Sequence, residues 1–290
     1  MSPDMAPAQE DMKPALEDMR PDTPTPDMKL VEPEPPRCVE ADGDVLSCAH
    51  ETELLLTGLS GFEPREVHWQ VPTGEPPEGG WPAVMLFQGS LFSSEYSWES
   101  SPDAPYGAYN QTKMIASLLD AGYAIIAPEA HYNGSTYWDT NIAPWAYAWE
   151  SSSDHRFLLE IFEELEQGAF GEINAERLYA TGISSGGYMT SRMAVSYQGR
   201  FKALAIASAS YATCAGYICY VPGELPFDHP PTLFLHGELD SIVPSYTMED
   251  YAEELIEQEV PTRQIVDEDA GHEWIEATPE EVTSWFNSWQ

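Results

Sequence analysis

The chain has 290 residues, 42% hydrophobic and 12% aromatic, enough apolar material for a sizeable core in one large domain or two small ones. Its 49 acidic against 12 basic residues leave a net charge of −37, which excludes charge-driven binding to nucleic acid or to anionic membrane surfaces. The acidity reads as a solubilising surface, and no apolar run approaches the length that spans a bilayer.

Residues 1–37 stand apart. They hold nine prolines, no aromatic residue and Asp-Met units at Asp4-Met5, Asp11-Met12, Asp18-Met19 and Asp27-Met28. The seven-residue spacing of the first three suggests a heptad, but prolines at 7, 14, 21, 24 and 26 break any such helix. With so few apolar side chains the segment is expected to be a disordered linker ahead of one domain, residues 38–290. Its composition resembles the spacer behind the lipidated cysteine of bacterial surface lipoproteins, or the stalk of a secreted enzyme. The four cysteines fit the same setting. Cys38–Cys48 and Cys214–Cys219 are the simplest of three pairings, with four buried thiols as the alternative. The C-x4-C pair has no histidine or second pair beside it, so zinc is not expected, nor is any EF-hand spacing present. Together these features predict an extracellular protein, secreted or surface-tethered.

From residue 38 the elements alternate. "REVHWQV" (65–71) reads as a strand, and "WPAVMLF" (81–87) is a continuous apolar run suited to a buried parallel strand. "QTKMIASLLDAGY" (111–123) has helical spacing ending at Gly122, and "AIIAPEA" (124–130) is another buried strand. "DHRFLLEIFEELEQG" (154–168) opens on Asp154 in a capping position and repeats apolar residues at helical intervals. "ERLYATGIS" (176–184) is a strand running into a helix over 186–197. Strands follow at 201–210, 231–237 and 263–267, with helices near 246–258 and 278–289. This alternation requires an α/β fold, a mainly parallel sheet with helices on both faces.

Ser184 sits where strand meets helix, in Gly182-Ile183-Ser184-Ser185-Gly186. A turn that tight crowds its neighbours, so only residues without side chains fit two positions before and after it. The G-x-S-x-G pattern in this context is a nucleophile elbow, which lifts the hydroxyl clear of the sheet near a helix N-terminus. A P-loop lysine and dinucleotide-type glycine spacing are both missing.

A serine needs a base, and the base needs an acid to orient it. Asp240 follows the strand "LFLHG", and His272 follows the next strand, so Ser184, Asp240 and His272 come in the order this topology demands. Glu238 is the nearest rival for the acid; Asp267, Glu268 and Asp269 read as a solvated face. His236 reads as a packing residue within its loop, and Gly271 as the residue that lets the His272 loop reach inward. Backbone N–H groups of Ser185 and of Ser90, behind Gly89, are the expected oxyanion donors.

These residues resemble the α/β-hydrolase superfamily, and within it the secreted polyhydroxybutyrate depolymerase and feruloyl-esterase-like group. The resemblance rests on "GISSGGYM" (182–189), "HGELDSIVP" (236–244) and "AGHEW" (270–274), and spans about residues 60–290. It implies a serine esterase that needs no cofactor and acts on small-molecule or polymeric esters, short hydroxyalkanoate polyesters or aryl and short-acyl esters. Two departures touch the substrate: Gln88-Gly89 stands where many relatives have His-Gly, and residues 131–149 are unusually aromatic. Tyr132, Tyr137, Trp138, Trp145, Tyr147 and Trp149 read either as core or as pocket lining. Gln88, Phe92, Tyr96, Trp138 and Trp145 are the candidate substrate contacts, with Trp98 a further one. Two other readings are a prolyl-oligopeptidase-like peptidase, which usually carries a further large domain, and a non-catalytic binding protein on a hydrolase scaffold.

Overall fold

The structure, a computed structural model, describes residues 34–41, 43–55, 64–130 and 137–290. The expected linker therefore lies outside the described residues except for 34–37, as do Tyr132 and His131. Arg37 is already tied to the folded part, its Nε donating to the Val71 carbonyl at 3.1 Å.

Among the described residues, eleven strands form two sheets. A small antiparallel sheet joins β1 (Cys38–Ala41), β2 (Val45–Cys48) and β6 (Glu99–Ser100). Cys38 and Cys48 are cross-strand partners in it and are disulfide-bonded, and Cys214–Cys219 is bonded likewise. The large sheet comprises β3 (Glu51–Leu55), β4 (Arg65–Gln70), β5 (Trp81–Phe87), β7 (Ala124–Pro128), β8 (Ile173–Ile183), β9 (Phe201–Ala207), β10 (Thr232–Gly237) and β11 (Thr262–Asp267). Its order is β11-β10-β9-β8-β5-β7-β4-β3, parallel from β11 to β7, with β4 and β3 antiparallel at the edge. The expected mainly parallel sheet is present. The sequence reading had no β1, β2, β3 or β6.

Alternation along each strand divides the core. Val84 and Leu86 of β5 face α1 (Ala108–Asp120) and α5 (Thr278–Asn287), packing with Met114, Leu118 and Phe286. Ala83, Met85 and Phe87 face α2 (Ser153–Gln167) and α3 (Ser185–Ser196), packing with Phe157, Ile161 and Met193. A third cluster joins Phe234 to Met248, Tyr251 and Leu255 of α4 (Ser245–Glu257). Each fully buried Leu, Ile or Phe of this kind contributes roughly 1.5–3 kcal/mol. Because both faces are covered, β5 and β7 read as unbroken apolar runs.

The start of α2 corrects one expectation. Ser152, not Asp154, is the N-cap, accepting from His155 N–H at 3.0 Å. Asp154 lies in the first turn, fully buried, and pairs with Arg65 of β4 at 2.7 Å. An unpaired carboxylate at that depth would be costly, so the pair fixes α2 against the antiparallel edge.

His229 gives the fold a pH dependence. Burial, outweighing the hydrogen bond to Pro230 O and the nearby Asp228, lowers its pKa from 6.5 to about 4. Its ring spans Pro230 O at 2.8 Å and Tyr251 Oη at 2.6 Å. The folded state holds it neutral, whereas the unfolded chain protonates it near 6.5, so its contribution is intact above that pH and is lost as pH falls toward 4. Urea unfolding at pH 7 and 4.5 should show wild type losing about 2 kcal/mol more on acidification than His229→Gln. Equal losses would contradict this reading.

Candidate active site

β8 runs straight into α3 through Ser184, whose backbone sits at φ 56° and ψ −121°. That conformation is unfavourable for a residue with a Cβ, costing of order 1–3 kcal/mol. It is held from both sides: Ser184 N–H donates to Ala207 O, and Ser184 C=O accepts from Tyr188 N–H, each at 3.0 Å. The flanking glycines are a matter of space. A Cβ on Gly182 would lie 2.4 Å from Gly186 O, and one on Gly186 would lie 2.0 Å from Phe87 O. Gly187 is equally confined, since a Cβ there would lie 2.4 Å from the Ala209 Cβ.

Asp240 and His272, the expected acid and base, come from the segments after β10 and β11. Asp240 is buried in the turn after β10. One carboxylate oxygen accepts from the N–H groups of Ile242 (2.9 Å) and Val243 (2.8 Å). The other accepts from His272 Nδ1 at 2.7 Å. Burial alone would raise the Asp240 pKa, but hydrogen bonds from His236, His272 and Val243 N–H hold it well below the carboxylate range. Asp240 is therefore ionised at neutral pH.

His236 is closer to the chemistry than expected. It is a buried strand residue, not a loop one, with Nε2 donating to Val243 O at 2.8 Å and 3.4 Å from the Asp240 carboxylate. Gly237 is the glycine that lets the two loops meet, since a Cβ there would lie 2.2 Å from Gly271 O. Gly271 itself has open space at that position, so its expected role passes to Gly237. Glu238 is exposed and accepts from Ser245 Oγ at 3.3 Å, away from His272.

Ser184 and His272 line one cavity of about 730 Å³. Its wall also includes the loop after β5. Gly89 packs on Ile183 and Ser184, and Ser90 lines the cavity beside it. The N–H groups of Ser90 and Ser185 have no acceptor among the described residues, and Ser185 N–H opens α3, where the helix leaves it free. Thus Ser184, His272, Ser90 and Ser185 are brought together, with Asp240 behind the imidazole.

The candidate substrate contacts divide. Phe92 and Tyr96 line the cavity. Gln88 lines it too, but its amide is engaged by protein, donating to Glu129 Oε1 (3.1 Å) and to Phe92 O and accepting from Ala130 N–H (3.2 Å). Trp138 and Trp145 do not line it. Trp138 is fully buried against Phe87, its indole N–H donating to Gln88 O at 3.1 Å. Trp149 is likewise buried, Tyr147 lies on the surface, and Trp98 stacks on His50 in the core. Of the described aromatic residues in this stretch, Trp138 and Trp149 are therefore scaffold, and none lines the cavity. Tyr106, Ile242 and Trp274 complete the apolar wall and were not singled out by sequence. Among the described residues, no group of three His, Cys, Asp or Glu side chains could hold a metal ion, and no helix is long and apolar enough to cross a membrane.

Comparison with known proteins gives one close relative in sequence. The chain is 47% identical over 256 residues to a poly(3-hydroxyoctanoate) depolymerase of Pseudomonas fluorescens, covering 88% of this chain and 90% of that protein. No protein-family profile matches. In solved structures the likeness is one of fold. A carboxylesterase of Bacillus cereus superposes with a TM-score of 0.53 at 13% identity, over 78% of this chain and 95% of that one. A dipeptidyl peptidase 4 of Porphyromonas gingivalis gives 0.56 at 14% identity over 83% of this chain, which spans only 36% of the peptidase.

Gly186→Ala should test the elbow directly. With a Cβ 2.0 Å from the Phe87 carbonyl, the variant is expected to lose about 3 kcal/mol in urea unfolding, the upper end of overpacking penalties. Wild-type stability would show that the turn relaxes and is not sterically fixed.

Proposed function

Because the chain belongs to the family of the poly(3-hydroxyoctanoate) depolymerase, serine esterases of α/β-hydrolase fold, we propose that it hydrolyses polyhydroxyalkanoate esters through an acyl-enzyme at Ser184. One observation carries the assignment of roles: the Asp240–His272 pair, 2.7 Å apart, borders the same cavity as a serine on a strained strand-to-helix turn.

With Nδ1 engaged by Asp240, the His272 Nε2 is the free nitrogen and takes the proton from the Ser184 hydroxyl as it attacks the ester carbonyl. Negative charge then develops on the carbonyl oxygen, where the N–H groups of Ser185 and Ser90 receive it with the N-terminus of α3 behind them. His272 returns the proton to the leaving alkoxide. Water, activated by the same imidazole, attacks the acyl-enzyme and releases a 3-hydroxyacid or a shortened chain. Each step uses side chains and backbone of this protein alone.

The cavity supports an alkyl-bearing ester. Phe92, Tyr106, Ile242 and Trp274 present apolar surface beside the serine, suited to a medium-length aliphatic side chain. The two disulfides fit folding in an oxidising compartment, and we read the protein as secreted or surface-tethered.

Wild type should hydrolyse p-nitrophenyl octanoate and clear a poly(3-hydroxyoctanoate) latex. Ser184→Ala should lower kcat by at least about 10⁴-fold, and Asp240→Asn by about the same factor. Rates in Ser184→Ala equal to wild type would remove this serine from the mechanism.

A further inference from the structure

Glu129 stands one residue beyond the carboxyl end of β7, the neighbour of β5 in the sheet, so it lies beside the loop that follows β5. Among the described residues, no cation pairs with its carboxylate. It accepts four hydrogen bonds, all from that loop: Ser93 Oγ at 2.8 Å, Ser94 N–H at 2.8 Å and Ser94 Oγ at 2.9 Å on one oxygen, and Gln88 Nε2 at 3.1 Å on the other. The two ends of the segment 88–94 are thereby fastened to a single side chain, with Gly89 and Ser90 between them. Leu91, in the same segment, has φ 70°, a conformation that a free loop would not favour.

Glu129 is itself anchored. Its N–H donates to Glu66 O at 2.8 Å, and its carbonyl accepts from Arg65 Nε at 3.0 Å and Nη2 at 2.8 Å. Arg65 is held in turn by the buried Asp154 at 2.7 Å. A rigid path therefore runs from the core of the sheet to the loop that carries one oxyanion donor. The unusual Gln88 finds its place here, because its amide links Glu129, Ala130 N–H and Phe92 O.

We infer that Glu129 is a positioning residue for the oxyanion loop, setting where the Ser90 N–H points without touching substrate. The inference rests on the triad assignment above. An oxyanion donor is effective only when fixed in advance at the place where charge develops, so a loop free to wander loses transition-state binding before ground-state binding. Replacing the carboxylate by an amide puts an NH₂ group among four donors. At least one oxygen–donor contact then becomes a donor–donor conflict.

Glu129→Gln separates this role from a merely structural one. Assayed with p-nitrophenyl octanoate, it should lose about 10–100-fold in kcat with KM changed less than about threefold, a fraction of the loss seen when an oxyanion donor is deleted outright. Affinity for an alkyl trifluoromethyl ketone, which becomes a tetrahedral oxyanion on the serine, should fall by the same factor as kcat/KM. A folded Glu129→Gln enzyme with wild-type kcat and ketone affinity overturns the inference, as does a rise in KM alone. If that variant does not fold, Ser93→Ala/Ser94→Ala, which removes the two hydroxyl contacts of the four while leaving the carboxylate and the backbone N–H, is judged by the same two readouts. The triad reading fails separately, in the wild type against Ser184→Ala.

Discussion

The strand-to-helix turn at Ser184 is the constraint on which the rest of the molecule depends. Its backbone occupies a region that a serine avoids, and it stays there because Ala207 O and Tyr188 N–H clamp it and because three glycines allow β8, α3 and β5 to approach. Move any of these and the hydroxyl, the Ser185 N–H and the wall against Gly89 move together. The strain of roughly 1–3 kcal/mol is absorbed by a sheet buried on both faces, which is why such a turn belongs at its centre and not at an edge.

Charge is the second theme. A protein of net charge −37 is a poor general environment for an anionic transition state. The site answers locally. Asp240, whose carboxylate contacts the His272 imidazole, is buried and accepts from the N–H groups of Ile242 and Val243 and from His272. His236 stands behind it at 3.4 Å and braces Val243, so the acid loop is fixed at both ends. The carboxylate of Glu129 is likewise spent on neutral donors.

Much of this was legible in the sequence. The apolar runs of β5 and β7 have no polar interruption because both faces are covered, and α1 and α2 show the period of helices with one buried side. Ser184, Asp240 and His272 could be placed because topology fixes their order and strand ends fix their positions. The missed strands are short or exposed: β6 has two residues, and four of the five in β3 face solvent, so neither carries an alternation to read. The aromatic stretch misled for a different reason. Composition cannot distinguish a tryptophan lining a cavity from one beneath it, and Trp138 proved to be the latter. Glu129 left no pattern at all, since its partners lie 35 to 41 residues away. The swap of roles between Gly271 and Gly237 is likewise a matter of which backbone approaches which, and only coordinates hold that.

Mapping the site of fluorophosphonate labelling by peptide mass spectrometry tests the central claim most directly. Activation of one serine by the Asp240–His272 pair predicts a single adduct, on Ser184, formed rapidly in wild type and suppressed in a folded His272→Ala variant. An adduct on another serine, or labelling of Ser184 at an undiminished rate without the imidazole, would contradict it.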